Sequence, residues 1–282
     1  MSTAVRAEYR RAVTTRDWRP RYVQVADALQ DQIRSGELLP DTPLPSEPDL
    51  AETYGLSRTS VRNAIRLLRA QGIVRVERGK GTFVRATVQR IVRNASERYP
   101  AEKQRALLID DTERGSVGAS EMDSGLTFSD LRFEAKYDVI DAQGDVAQLL
   151  EVPPGTPVLR RAFASFKVDS GDQVQSSCSY IPHELIRHHP ELLDSSREPW
   201  PGGTMHQLRT VGVEVMSITD RITTRVPTVE EAEDLHIEDG IPVFVLWKIC
   251  RDKDGLAVEV AEVVLPGDRT ELAYTTELEP WA

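Results

Sequence analysis

The chain has 282 residues, 40% of them hydrophobic and 28% charged, which is enough for two compact domains with a core each. No run approaches 18 apolar residues, the N-terminal segment lacks the apolar stretch of a secretory signal, and Cys178 and Cys250 form no CxxC pair. These features argue against a membrane span, a disulfide framework and a cysteine-bound zinc site; no cofactor is implied, and a reducing cytoplasm is the expected location.

The net charge of −10 speaks against nucleic acid only until it is divided along the chain. Residues 1–98 carry 18 Lys and Arg against 11 Asp and Glu, whereas the other 184 residues carry 17 against 34. Between 57 and 98 the imbalance sharpens to 11 basic residues against two acidic ones, Glu77 and Glu97. Such asymmetry points to two tasks in one chain, with DNA contact confined to the basic end.

After a tail over 1–20, Tyr22, Val25, Leu29 and Ile33 recur at spacings of three and four, the mark of one apolar helical face. Gly36 stops that helix, and the Pro-rich LLPDTPLP follows. Ser46 to Asp49 is a variant capping box that opens a short second helix ending near Tyr54-Gly55, with Pro48 tolerable in its first turn. Ser57 caps a third helix in which Val61, Ile65 and Leu68 face inward and Arg58, Arg62, Arg66 and Arg69 take the other sides. Beyond Gly72, IVRVERGKGTFVR reads as two short strands around a Gly-Lys-Gly tip.

This is a winged helix-turn-helix, expected over 21–86. A helix fits the major groove of B-DNA and reads base edges from its N-terminal end. Arg58, Thr59, Ser60 and Arg62 occupy that end of the third helix, whose free N–H groups behind Ser57 suit a phosphate. Gly79, Lys80 and Gly81 let the wing approach the DNA backbone.

A weakly hydrophobic linker is expected over 87–126, with a helical piece near Val88–Arg98. From 127 to 282 the pattern changes to strands: QSSCSYI, FVLWKI and VEVAEVVL are β-branched or aromatic, and Thr228 to Glu231 is a capping box opening the helix EEAEDL. The fold class is α+β, with a mainly antiparallel sheet and helices in the second domain. Within it Ala147, Leu150, Val152, Gly155, Pro157 and Val158 return 85 residues later as Ala232, Leu235, Ile237, Gly240, Pro242 and Val243. With one slip, Gly171, Val174, Ile181 and Pro182 match Gly255, Val258, Leu265 and Pro266, so two pseudo-equivalent halves should share one sheet. His183, His188 and His189 lie in IPHELIRHHPELL, which reads as a surface helix rather than a metal site. Trp200 and Trp247 are expected in the core or in pocket walls.

The segment LPSEPDLAETYGLSRTSVRNAIRLLRAQGIVRVERGKGTFV resembles the winged helix-turn-helix of GntR-family bacterial repressors, from about Tyr22 to Val84. The resemblance implies DNA contacts at Ser46, Arg58, Thr59, Arg62 and the wing residues Lys80, Gly81 and Thr82, which joins them to Ser57 and Ser60 as DNA-binding candidates. The family's Arg after L-P-S-E is replaced by Pro48, so one contact is missing. The second half, over about 140–275, resembles the HutC-type (UTRA) effector domain, which implies a chorismate-lyase-like fold and a small-molecule effector. That resemblance points to Ser165 and Lys167 where the family often has two arginines, with Arg160 and Arg161 as substitutes, and to Ser179, Tyr180 and Glu259. Erosion of the arginine pair argues against a simple sugar-phosphate effector.

The reading is therefore a homodimeric transcription regulator, in family habit a repressor released from a palindromic double-stranded DNA operator by a small molecule. Two alternatives stand beside it: a DNA-binding dimer whose second domain has lost its ligand, and an enzyme with a regulatory DNA-binding domain. No Ser-His-Asp set or phosphate-binding Gly loop supports the enzyme, and fold alone implies no activity.

Overall fold

The computed structural model describes residues 18–77, 79–85, 90–108, 130–169, 173–237 and 240–278. Packing divides the chain into two units, Met1–Gln89 with Glu238–Ile241 and Arg90–Ile237 with Pro242–Ala282.

The first unit contains helices α1 (Arg21–Arg34), α2 (Glu47–Tyr54) and α3 (Arg58–Ala70), followed by strands β1 (Val74–Glu77) and β2 (Gly81–Val84). Its core is built from the apolar stripes foreseen above: Val25 and Leu29 of α1, Leu50 and Tyr54 of α2, and Val61, Ala64, Ile65 and Leu68 of α3. Tyr22 and Ile33 pack at its margin. Leu68 is fully enclosed, so truncating it to Ala should cost about 2–5 kcal/mol. The two caps are where the sequence places them. Ser46 Oγ accepts the Asp49 N–H at 3.4 Å, and Ser57 Oγ accepts that of Ser60 at 3.2 Å. Between the helices Gly55 closes α2 in the left-handed region at φ +63°, a conformation that glycine adopts without strain. The β1–β2 hairpin is antiparallel, Val74 opposite Val84 and Glu77 opposite Gly81. Pro43 bridges to Phe83, which fixes the wing against the loop before α2.

The second unit begins inside the segment expected as linker. Strand β3 (Ile91–Asn94) pairs in parallel with β10 (Thr270–Ala273), and helix α4 (Ala95–Arg105) follows directly, capped by Asn94. The helical piece expected near Val88–Arg98 is strand over Ile91–Asn94 and helix only from Ala95 onward, and this charged helix carries Pro100 and few apolar side chains, Ala95 and Tyr99 among them. The rest of the expected linker, 109–126, lies outside the described residues, as do residues 86–89.

The remaining elements are β4 (Leu131–Asp141), α5 (Gly144–Leu150), β5 (Pro157–Lys167), β6 (Gln173–Pro182), α6 (His183–Ile186), α7 (Gly203–Thr210), β7 (Ser217–Arg225), α8 (Val229–Asp234), β8 (Val243–Arg251) and β9 (Ala257–Pro266). They form a six-stranded antiparallel sheet in the order β4-β5-β6-β9-β8-β7. The order exposes the internal repeat. Each half is strand, helix, strand, strand, and β6 meets β9 at the centre. Equivalence extends to backbone detail at the 85-residue offset. Glu151 and His236 are both left-handed, at φ +58° and +49°, and Gly155 and Gly240 sit at +89° and +88°. Val152 N–H donates to Ala147 C=O at 3.0 Å, and Ile237 N–H donates to Ala232 C=O at 2.8 Å. Gly171 lies outside the described residues.

The histidine-rich stretch departs from the single surface helix expected of it. Only His183–Ile186 is α-helical, Pro190–Leu192 is a 3₁₀ turn, and Ile186 and Leu192 are buried. Pro190 disfavours helical backbone at His189 before it, which is why the pattern breaks. Among the described residues no His, Cys, Asp and Glu cluster is arranged to hold a metal ion.

Candidate DNA interface and effector site

The candidate DNA-reading residues sit at one exposed edge of the first unit. Ser57, Arg58 and Thr59 are exposed at the start of α3, and the opposite face of the helix is fully committed to the core. Arg58 makes no ion pair among the described residues. Arg62 differs. Its Nε donates to Glu47 Oε2 at 2.8 Å, although the side chain is 68% exposed. An exposed pair of this kind contributes about 0–1 kcal/mol and yields readily to a phosphate. Ser46 is tied to Asp49 both ways, donating to Oδ2 at 2.6 Å and accepting the backbone N–H. At the wing, Lys80 Nζ lies 3.1 Å from Glu77 Oε2 and Gly81 and Lys80 are exposed, with Thr82 half-buried. Arg75, not singled out from sequence, bridges Asp41 and Glu77 at 2.9 Å each and stacks over Phe83, so it braces the wing.

In the second unit the strand period of two sorts the candidate effector residues onto opposite faces. Arg161, Ser179 and Glu259 share one face, beneath α4 and α7. Arg160 and Tyr180, paired with each other in register, share the other, where α5 packs. Arg160 lies 4.0 Å from Asp138, and Tyr180 packs with Ala147, Val260 and Ile249, so the structure does not bring these two to Arg161. Ser165 is buried on Arg161's strand and Lys167 is exposed at its last residue.

What converges on Arg161 is a closed polar cluster. Arg161 and Glu259 are each 1% exposed and joined at 2.6 Å, Nη2 to Oε1. Arg161 Nε donates to Ser179 Oγ at 2.8 Å, its Nη2 also to Thr204 Oγ1 at 3.1 Å, and its Nη1 to Gln207 Oε1. The second carboxylate oxygen of Glu259 receives Lys248 Nζ at 3.0 Å and the Cys250 thiol at 3.4 Å. Burial alone would raise the Glu259 carboxyl, but Lys248 and Arg161 outweigh it and hold it at about 2. Burial pushes the Cys250 thiol well above its ordinary range, which keeps it a neutral donor. Gln207 passes the network on to Glu198, which Tyr137 also donates to, and the aromatic pairs Phe133–Phe163 and Tyr137–Phe163 line the β4 side.

Sequence reasoning missed Lys248, Gln207, Thr204, Cys250 and Glu198. Lys248 and Cys250 were legible in principle, because alternation in FVLWKICR places both with Leu246 on one face. Gln207 and Thr204 come from a short helix whose approach to β5 no local pattern encodes.

Comparison with known proteins settles the class of the molecule. Residues 21–84 match the model of the bacterial regulatory proteins of the gntR family, and residues 135–271 match that of the UTRA domain. An uncharacterized HTH-type transcriptional regulator of Streptomyces coelicolor is 30% identical over 263 residues, covering 90% of this chain and 92% of that one. The chain belongs to the GntR family. Its pairing of domains is the HutC-type architecture, a DNA-binding helix-turn-helix followed by a small-molecule effector domain. The HTH-type transcriptional repressor NagR of Bacillus subtilis is 28% identical, covering 89% of this chain and 92% of its own length. A crystal structure described as that of a candidate GntR-family transcriptional regulator superposes with a TM-score of 0.67 at 25% identity, covering 93% of this chain and 99% of that one. No helix among the described residues is long and apolar enough to cross a membrane.

Proposed function

We propose that this GntR-family regulator is a cytoplasmic transcriptional repressor that binds a palindromic operator as a homodimer and is released by a small molecule. A tail over 1–20, a DNA-binding domain over 21–86, a linker over 87–126 and an effector-binding and dimerisation domain over 127–282 are its proposed parts. The observation that carries the DNA-binding half is the exposed start of α3, where Arg58 makes no ion pair among the described residues. There Arg58, Thr59, Ser60 and Arg62 read the major groove, Ser46 and Ser57 face phosphates, and Lys80, Gly81 and Thr82 meet the backbone or minor groove. The similar NagR of Bacillus subtilis is a repressor. The effector site is assigned to the face of Arg161, Ser165, Ser179 and Glu259.

A second reading has one specific observation in its favour. Four of the five N–H groups of the Arg161 guanidinium donate within the chain itself, so an anionic effector that takes two of them as a fork displaces a partner such as Gln207 or Glu259. A domain that only dimerises would look the same. The two readings separate in one experiment: genomic fragments bound by the protein are isolated and footprinted, and compounds are titrated against the complex. Paired half-sites with release by a compound support the first reading, and paired half-sites that no compound releases support the second. Absence of any protected site overturns both.

A further inference from the structure

The polar cluster around Arg161 does not end at Glu259. Its strand positions stand in one row across the sheet: Tyr137 opposite Arg161, Arg161 opposite Ser179, Ser179 opposite Ala261, Ala261 opposite Lys248, and Lys248 opposite Asp220. Six strands thus contribute to one belt on one face. From its β4 end the belt runs Tyr137, Glu198, Gln207, Arg161, Glu259, Lys248 and Asp220, with α7 supplying Gln207. At its β7 end it leaves the sheet. Tyr99 of α4 donates to both Asp220 carboxylate oxygens, at 2.8 and 2.9 Å. Nearby, Lys103 of α4 donates to Val215 C=O at 2.9 Å and lies 3.0 Å from Glu214. Glu102 of α4 is buried beside Gly203, where an added Cβ would stand 3.3 Å from its carboxylate.

Helix α4 is the first helix of this unit after the DNA-binding unit, and β3 before it is held by β10, the strand after the one that carries Glu259. Lys248 is therefore the midpoint between two ends with different tasks. On one side it holds the carboxylate that holds Arg161. On the other it is the registered neighbour of the aspartate that holds α4. Its side chain is only 13% exposed, and the Glu259 carboxylate at 3.0 Å offsets the cost of burying its charge.

We propose that Lys248 is a positioning residue that transmits the state of the Arg161–Glu259 site to helix α4 and thus to the chain leading back to the DNA-binding unit. The inference rests on the effector-site reading above and deepens it by naming the element that reads the site. An effector that draws Arg161 away from Glu259 changes the charge that Lys248 must balance, and the Asp220–Tyr99 contact responds. Coupling of this sort is carried by contiguous side-chain contacts, which run from Tyr137 to Lys248 and again from Asp220 to Tyr99, with strand register setting Lys248 beside Asp220.

The test needs no effector. Hydrogen exchange is followed in the full chain for wild type, Glu259→Gln, Lys248→Met, the double variant, Lys248→Arg and Tyr99→Phe, comparing α4 (95–105) with α5 (144–150), which packs on the opposite face. The expected result is exchange about tenfold faster in α4 with α5 unchanged for Glu259→Gln and Lys248→Met. The double variant should match the singles, Lys248→Arg should restore protection, and Tyr99→Phe, which removes one hydroxyl and leaves the core intact, should loosen α4 alone. Unchanged α4 exchange in the Glu259 and Lys248 variants, or equal loosening of α4 and α5, overturns the proposal. Operator binding by wild type is a separate readout: its failure would sink the regulator reading while leaving the belt measurement intact.

Discussion

Replacing Arg161 with Met probes the buried cluster directly, because Met keeps an unbranched apolar stem and removes the charge and every N–H donor. Glu259 then keeps Lys248 at 3.0 Å and the Cys250 thiol but loses its 2.6 Å partner, while Ser179, Thr204 and Gln207 lose a common donor. Breaking a buried pair from one side costs about 3–5 kcal/mol, and the surviving lysine places this case at the lower end. The titration of Glu259 carries the same sign: Lys248 and Arg161 hold its carboxyl well below the ordinary range, so its ionised form stabilises the folded state. Because the folded-state value is the depressed one, this stability is fully present above about pH 4.5 and is lost as pH falls toward 2. Thermal unfolding followed by circular dichroism from pH 3 to pH 7 should show two effects. At pH 7 the midpoint of the Arg161→Met protein should fall by about 6–12 °C, at roughly 2–4 °C per kcal/mol for a unit of this size. Its acid limb should also move to higher pH, since Glu259 no longer holds its charge as well. A loss under about 2 °C, or an acid limb identical to wild type, would refute the claim that this pair bears on the fold.

At the DNA-binding end, Arg58→Ala should weaken operator binding by about 1–3 kcal/mol in fluorescence anisotropy, as for an arginine forked onto guanine, while leaving the thermal midpoint in place. Glu47→Gln should release Arg62 from its 2.8 Å ion pair and raise affinity for DNA several-fold at low salt, a gain that shrinks as salt is added. Pro48→Arg restores the cation that relatives carry after L-P-S-E and should steepen the salt dependence of binding by about one phosphate contact. Thr228→Ala removes a capping box in which Thr228 Oγ1 accepts the Glu231 N–H at 3.1 Å and Glu231 accepts that of Thr228 at 2.8 Å; it should cost about 1 kcal/mol by chemical denaturation.

Much of this architecture was legible because its signals are local. Caps at Ser46, Ser57 and Thr228, the apolar stripes of α1 and α3, and the Gly-Lys-Gly hairpin each depend on residues within one or two turns of one another. The repeat was legible for the same reason: left-handed turns at Gly155 and Gly240 leave a Gly-x-Pro-Val signature wherever they occur. Two things were only partly visible. Helix α4 has a polar sequence broken by Pro100, and its stability comes from long-range partners, Asp220, Val215 and Thr275, that no window of sequence contains. The effector site was half visible. Of the candidates, Arg161, Ser179 and Glu259 converge in one cluster, but Arg160 and Tyr180, one residue away along their strands, point to the opposite face because side chains alternate. Choosing between Arg160 and Arg161 requires knowing which face α7 covers, and that is decided by tertiary packing.

The central claim is that α3 reads DNA from its N-terminal turn, and one measurement addresses it most directly. Genomic DNA fragments captured by the full-length protein are footprinted with wild type and with the Arg58→Ala variant. Paired protected half-sites about one helical turn apart, lost or strongly weakened in the variant, are the predicted result. Equal protection by both proteins, or no protection by either, would contradict it.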